Sequence, residues 1–328
     1  MKKINLNLIP DIQQKKYPNI TIAKVQEEFE NNLKERQLRP ATFRFYEEIL
    51  NVFYKFKNYN DFINTIDQST IMNFMKYCKT ERNNGINTIH TNIRGLRTFL
   101  YFAMEKGYLP KFKIKVPSPD LQPKETYSKE DIQKLLLKPN LSKCNFSEYV
   151  AYVAVNIFVF TGMRLSTAIN LKVEDIDLNN NIIYYRHTKN NKPHIVPLVH
   201  NLKEVVNEYL NLLSSQGVMN EYFLITPYGE QLTSNKLYKY ISTYNKKRNV
   251  EITSIHAFRR FYIKSLVLQN VPIPKIQFLV QHKSPELITL YTKLYTTELV
   301  EDVERFSADI LENSSINRKK IRTLKGGR

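Results

Sequence analysis

The stretch from Ile255 to Tyr295 opens with Ile255-His256-Ala257-Phe258-Arg259-Arg260-Phe261. It closes with Leu279-Val280-Gln281-His282-Lys283-Ser284-Pro285-Glu286, followed by Tyr291 and Tyr295. It holds two of the chain's six histidines, an arginine pair and three tyrosines, separated by apolar residues at helical spacing. His256 and Arg259 lie three apart, so a helix projects both from one face. Ser284-Pro285-Glu286 predicts a helix start, with serine as N-cap, proline at the first helical position and an acid in the first turn. Tyr291 and Tyr295 lie four apart on the helix that follows. Imidazoles, a guanidinium and a phenol on short helices suit chemistry at a phosphodiester: arginine for the anion, histidine for proton transfer, tyrosine as nucleophile. Taken alone, an H-x-x-R pair is more often structural than catalytic. One tyrosine among twenty-one carries no weight either, so support has to come from the rest of the chain.

A length of 328 residues allows two domains, each with a core, and the hydrophobic share of 42% is ordinary. No apolar run is long enough to cross a bilayer, and no signal-peptide core follows Met1-Lys2-Lys3-Ile4-Asn5, so a cytoplasmic protein is expected. Cys78 and Cys144 stand in unlike contexts without metal-ligand spacing and are expected to be small buried apolar residues. The formal net charge of +18 calls for a polyanionic partner. Nucleic acid fits better than a membrane, because neither end carries a strongly amphipathic basic helix.

Residues 1–20 show little periodicity and are expected to form an N-terminal arm. From Thr21 the pattern turns helical: Ile22, Val25, Phe29 and Leu33, then Pro40 opening a second helix with Phe43, Tyr46, Ile49, Leu50 and Phe53 inward. Ser69 is the expected cap of a third helix, with Ile71, Phe74, Met75 and Cys78 inward. Asn87 or Thr88 starts a fourth, carrying Ile89, Ile93, Leu96, Leu100 and Ala103, and Gly107 stops it. Residues 21–109 therefore form a helical domain of four or five helices. Lys76, Lys79, Arg82, Arg94 and Arg97 lie in it among asparagines and threonines, a mixture that either meets phosphates and base edges or forms a solvated polar face. Residues 110–127 hold four prolines amid lysines and read as a basic linker.

Ser128-Lys129-Glu130-Asp131 opens the second domain, residues 128–297, as a capped helix start. Tyr149 to Phe160 is a strongly apolar core helix ending at Thr161-Gly162-Met163-Arg164, where an arginine is held rigidly after a glycine. From Asp175 to Leu198 the period changes to alternation, with asparagine-rich turns, and predicts about three antiparallel strands. Lys189 falls on the second turn. Glu221 to Thr226 is a further short strand or turn, and Ser234 to Arg248 is a basic helix that adds Lys236 and Lys239 to the candidate DNA contacts, as Arg260 does beside Arg259. Glu298 to Leu311 forms a helix with Leu299, Val303, Phe306 and Ile310 on one side, and a basic tail completes residues 298–328. The fold class is mainly α with a small antiparallel β-sheet, α+β.

In chain order, Arg164, Lys189, His256, Arg259, His282 and Tyr291 resemble the site residues of the tyrosine recombinase (phage integrase) family. That family shows a T-G-x-R box, a hairpin lysine, an H-x-x-R box, a further His or Trp, and a tyrosine nine residues later. Here these are Thr161-Gly162-Met163-Arg164, Thr188-Lys189, His256-Ala257-Phe258-Arg259, His282 and Tyr291. Each motif is weak alone; all six residues in this order are specific. The helical first half is similar in kind to the family's core-binding domain. Two positions depart from the pattern: Thr167 replaces an acid three residues after the first arginine, and Gln281 replaces the glycine before the third-box histidine.

The resemblance implies a site-specific recombinase that cuts and rejoins double-stranded DNA at specific sites through a 3′-phosphotyrosine. Arg164 and Arg259 clamp the phosphate, Lys189 protonates the 5′ oxygen, His256 handles the tyrosine's proton, His282 bonds the phosphate and Tyr291 attacks. Tyr295 is the runner-up nucleophile. No Walker loop or carboxylate cluster is present in the sequence, so no cofactor, ATP or metal is expected. The family works as a homotetramer through a Holliday junction, which makes helix 298–311 the candidate contact exchanged between subunits. It leaves room for an accessory DNA-bending or directionality factor, and the expected location is the nucleoid. Only about twenty residues precede the helical domain, so no separate arm-binding module is expected. Two rival readings stand at this point: a monomeric type IB topoisomerase-like enzyme, and a DNA-binding protein without catalysis.

Overall fold

The computed structural model describes residues 17–120, 125–186 and 193–281. Residues 17–120 belong to one compact unit and residues 125–281 to a second. The first is built from α1 (Ile22–Glu35), α2 (Pro40–Tyr54), α3 (Gln68–Thr80) and α4 (Ile86–Glu105), with a 3-10 turn at Ile63–Thr65. The periodic apolar residues face inward. Ile22, Val25, Phe29 and Leu33 of α1 are buried with Ile49, Leu50 and Phe53 of α2, Ile71, Phe74 and Cys78 of α3, and five predicted positions of α4. Edge-to-face rings tie the helices together, Phe29 to Phe99 at 5.5 Å and Phe53 to Phe74 at 5.0 Å.

Two predicted caps shift. Asp67, not Ser69, caps α3: its carboxylate accepts from the Thr70 backbone N–H at 2.8 Å and from the hydroxyls of Ser69 and Thr70. Those donors, the Thr70 hydroxyl first, hold its carboxyl down at about 2. Gly85 is the N-cap of α4, so the helix starts just ahead of Asn87. The Asn87 side chain serves another purpose, exchanging two hydrogen bonds with the Asp120 backbone at 3.0 and 2.8 Å. His90 Nδ1–H donates to the Pro117 carbonyl at 2.7 Å. Residues 110–120, expected as linker, have no helix or strand. They are nonetheless laid on the first unit, with Ile114 buried and Phe112 and Val116 packed against its core.

The second unit contains α5 (Lys129–Leu136), α6 (Phe146–Thr161), α7 (Leu165–Ile169), β1 (Ile176–Asp177), β2 (Ile182–Tyr185), β3 (His194–Pro197), α8 (His200–Ser215), α9 (Ser234–Lys246), α10 (Ile255–Leu268) and α11 (Ile273–Val280). Ser128 caps α5 through the Asp131 N–H at 3.0 Å, as the sequence predicts. The sheet is antiparallel in the order β1-β2-β3, with Ile183 opposite Val196 and Tyr185 opposite His194. Ile183, Tyr185 and Val196 are buried, the period-2 signature of a sheet with one face inward. Asp177 accepts from the backbones of Asn179 and Asn180, and Asn181 takes φ +56, which makes the first turn. Residues 221–231 contribute only isolated bridges, Lys172 with Tyr222 and Ile225 with Gln231.

Helix α6 is buried on nearly every side and forms the axis of this unit. Helix α10 lies against it, with the Phe258 ring stacked between Tyr127 at 4.2 Å and Phe158 at 6.1 Å. Cys78 is buried and Cys144 partly buried, both as free thiols. Among the described residues no helix is long and apolar enough to cross a membrane. The expected N-terminal arm up to residue 16, the helix start at Ser284, the helix over 298–311 and the basic tail lie outside the described residues.

Candidate active site

The site begins where α6 stops. The Thr161 hydroxyl donates to the Ile157 carbonyl at 2.6 Å and accepts from the Met163 N–H at 3.2 Å, so it ends the helix and starts the turn. Gly162 follows in the left-handed region at φ +59, and a Cβ there would fall 2.4 Å from Cδ1 of Tyr262 on α10. The glycine thus permits both the turn and the close approach of α10. Gly162→Ala is expected to cost about 2–4 kcal/mol, combining left-handed strain with overpacking. A thermal melt of the variant checks this.

Arg164 is the N-cap residue of α7, and Arg259 lies in the first turns of α10. Their guanidinium groups meet on the end of α11. Arg259, only 8% exposed, donates from Nη1 to the Gly162 carbonyl at 2.7 Å and from Nη2 to the Val280 carbonyl. Arg164 donates from Nη2 to the next carbonyl, Gln281, at 3.1 Å. Carbonyls at the C-terminal ends of α6 and α11 lack helical donors and carry the negative end of the helix dipole, so cations satisfy them. Two consecutive carbonyls therefore hold the two arginines as neighbours, in an order set by the backbone. Burial pushes the Arg164 guanidinium below its usual value, and an arginine still stays charged in a protein. A pair of planar, half-enclosed cations is suited to gripping the non-bridging oxygens of a phosphate.

The start of α10 is fixed from behind. Buried Asn245 donates to the Tyr127 hydroxyl at 2.9 Å and to the Ile252 carbonyl at 2.7 Å, while the Thr126 hydroxyl donates to the Ala257 carbonyl at 3.1 Å. His256 is exposed on this anchored first turn, one helical turn before Arg259. Arg260, a candidate DNA contact, donates from Nε to the Glu125 carbonyl at 3.0 Å and so also ties the entering chain to α10.

Gln281 ends α11 in the left-handed region, at φ 50 and ψ 47. This explains why the resembling family favours glycine there: the carbonyl must turn back toward the arginines. Gln281→Gly is expected to raise stability by roughly 0.5–1 kcal/mol, because glycine takes this conformation without a Cβ penalty. A denaturant titration reads the shift in midpoint. Thr167, at the position of the family's acid, is buried in α7.

Arg164, Arg259 and His256 are thus brought to one region, while Lys189, His282, Tyr291 and Tyr295 lie outside the described residues. Of the other candidates, Lys76, Lys79 and Arg94 are exposed, and Arg82 and Arg97 are partly buried, on or just beyond α3 and α4. Lys236 and Lys239 are exposed on α9, Lys236 within 3.3 Å of Glu230. Among the described residues no group of three His, Cys, Asp or Glu could hold a metal ion. Reading side chains alone missed Tyr262 and the carbonyls of Gly162, Val280 and Gln281. The glycine in T-G-x-R was the available signal for the first, since an invariant need for no Cβ implies a close neighbour.

Residues 126–298 match the Phage integrase family, and residues 21–116 match the Phage integrase SAM-like domain. The chain belongs to the phage integrase family. It is 24% identical over 286 residues to tyrosine recombinase XerA of Thermococcus kodakarensis, spanning 86% of this chain and 94% of that one. Tyrosine recombinase XerD of Staphylococcus haemolyticus is 26% identical over 222 residues, 65% of this chain and 74% of its own. Among solved structures, the Tn1549 transposon integrase in complex with a circular intermediate DNA shares the fold with a TM-score of 0.67 at 16% identity, over 83% of this chain and 95% of that one. A lambda integrase dimer bound to a COC′ core site gives the same values. As a member of the phage integrase family, the protein is a tyrosine-type site-specific DNA recombinase.

Proposed function

We propose that this integrase cuts and rejoins duplex DNA by transferring a phosphoryl group to Tyr291 and back. The observation that carries this reading is the seating of Arg164 and Arg259 on consecutive carbonyls, those of Gln281 and Val280, directly before His282. Tyr291 follows His282 by nine residues. A phosphodiester resists attack because its charge repels the nucleophile and its alkoxide leaves poorly. The two guanidinium groups neutralise the non-bridging oxygens as charge builds on them. The Tyr291 phenol gives its proton to His256 while its oxygen bonds to phosphorus. The bond from phosphorus to the 5′ oxygen breaks, and the Lys189 ammonium supplies the proton that makes a free 5′-hydroxyl. His282 donates a hydrogen bond to the phosphate. The phosphotyrosine keeps the energy of the broken ester, so attack by a 5′-hydroxyl of a partner strand reseals DNA without ATP.

The exposed lysines and arginines of α3, α4 and α9 are assigned to the DNA backbone, consistent with the +18 charge. The lambda integrase tetramer bound to a Holliday junction shares this fold with a TM-score of 0.68 at 15% identity. It supports assembly of four copies on paired sites, and residues 298–311 are our candidate for the segment passed between neighbours. An accessory DNA-bending or directionality factor is compatible with this scheme, and a DNA substrate is consistent with a location at the nucleoid in the cytoplasm. Incubation with a nicked suicide duplex tests the reaction. A protein–DNA adduct that survives denaturant and leaves a free 5′-hydroxyl is expected. Absence of any adduct on sequences recovered from the host would leave a DNA-binding protein only, and supercoil relaxation without paired sites would favour the topoisomerase-like reading.

A further inference from the structure

The chain turns back after α4. Gly107, just past the end of that helix, takes φ +76, and the segment that follows is laid along the helix it has left. The Ile114 N–H donates to the Tyr101 hydroxyl at 3.3 Å, His90 Nδ1–H donates to the Pro117 carbonyl at 2.7 Å, and Asn87 exchanges its two bonds with the Asp120 backbone. The anchors run backward along α4 as they run forward along the segment, so the two are antiparallel. Asn87 to Tyr101 is about 21 Å of helix, and Ile114 to Asp120 is about 20 Å of chain when fully extended. The match makes this an extended chain, and burial alternates as it should on one. Phe112, Ile114 and Val116 pack on the core of the first unit, whereas Lys111, Lys113 and Lys115 between and beside them are exposed. None of the ion pairs among the described residues involves these three lysines.

We infer that Lys111, Lys113 and Lys115 form a rail for the DNA backbone, each ammonium taking a phosphate of one strand of the duplex. This rests on duplex DNA as the substrate and is independent of the phosphotyrosine chemistry. Residues two apart on an extended chain leave it on the same side, so the three lysines stand in a row about 13 Å long. A strand of duplex DNA presents one phosphate per about 3.4 Å of axis, so a row of that length faces enough phosphates for every lysine to take its own. The apolar residues of the segment hold the row against the core, and Tyr101, His90 and Asn87 fix the backbone that carries it. A row of like charges held in place repels itself, and a polyanion relieves that repulsion. Because the backbone is ordered before DNA arrives, little chain entropy is lost on binding, which distinguishes the rail from lysines scattered on a flexible linker. Ammonium groups on phosphates carry no base information, so the rail adds affinity equally on every sequence.

The test measures binding of the full-length protein to a fluorescent random-sequence duplex by anisotropy as salt is raised. The slope of log K against log salt counts the phosphates neutralised, at about 0.9 for each on a duplex. Changing Lys111, Lys113 and Lys115 together to glutamine is expected to lower the magnitude of that slope by about 2.7, so the affinity advantage of wild type shrinks about 40-fold between about 50 and about 200 mM salt. The same three positions changed to arginine should keep the wild-type slope. A second triple variant, Lys34→Gln with Lys55→Gln and Lys143→Gln, removes as much charge from exposed positions off the rail and should leave the slope within about one unit of wild type. A constant inactive fraction does not alter the slope, so an imperfectly folded preparation still gives an answer. A fall of less than about one unit in the rail variant, or an equal fall in the control variant, would overturn the inference. Wild-type protein that bound the duplex without salt dependence would instead refute duplex DNA as the substrate, which keeps the two failures apart.

Discussion

Arg164→Ala is expected to slow formation of the covalent protein–DNA complex by about 10²–10³-fold, the usual effect of removing one preorganised donor from a developing oxyanion. The geometry makes this variant interpretable. Among the described residues Arg164 makes one hydrogen bond, to the Gln281 carbonyl at the open end of α11, so truncation should cost only about 1 kcal/mol of stability. Arg259 is different. It is buried and joins α6 to α11 through the Gly162 and Val280 carbonyls, and Arg259→Ala would orphan both. Loss of activity in that variant would mix catalysis with unfolding at a cost of about 2–6 kcal/mol, about 1–3 for each orphaned carbonyl. Arg259→Lys is the cleaner probe. It keeps the charge and loses the planar fork that reaches two carbonyls and a phosphate together, so a loss of about 100-fold is expected with a folded protein. A neutral methylphosphonate at the scissile position gives an independent check. It removes the charge that the clamp neutralises, so Arg164→Ala should recover most of its deficit there. An equal deficit on charged and neutral linkages would assign Arg164 a structural task.

Tyr291→Phe should carry the largest effect of any single change, lowering adduct formation by at least about 10⁴-fold, as expected when a nucleophile is deleted. DNA binding should persist, because the basic surfaces of α3, α4 and α9 are untouched. Tyr295→Phe should cleave within about threefold of wild type, since a tyrosine that does not bond to phosphorus contributes little. Gel shift and suicide-substrate assays on the same preparations separate the two properties. Should Tyr295→Phe be the dead variant, the nucleophile belongs four residues further on.

The helical periodicities were legible because burial on a helix repeats with the chain itself. Ile22, Val25, Phe29 and Leu33 are spaced as a stripe and all four are buried. The same holds for the alternation that predicts β2 and β3. Caps were less legible. Ser69 is a good cap by type, yet its hydroxyl donates to Asp67, whose carboxylate outcompetes it for the Thr70 N–H. Asn87 is a good cap by type too, and it is spent on the Asp120 backbone. In both cases a neighbour decided by competition what propensity alone leaves open.

At the site, the order of side chains was readable and their supports were not. Nothing local in the sequence around Arg259 points to Gly162, 97 positions away, or to Val280. Backbone carbonyls are present at every residue and become specific only through the fold. The same limit hides Asp175, which looks like an ordinary strand-edge acid until Arg186 is placed beside it. The departure at Gln281 could be named in the sequence, while its meaning, a left-handed residue whose carbonyl holds Arg164, required the backbone angles.

The most direct test of the central claim is to trap the full-length protein on a suicide duplex, digest it, and sequence the nucleotide-bearing peptide by mass spectrometry. A 3′-phosphoryl adduct on Tyr291 is predicted. An adduct on any other residue, or a 5′-phosphoryl linkage, would contradict it.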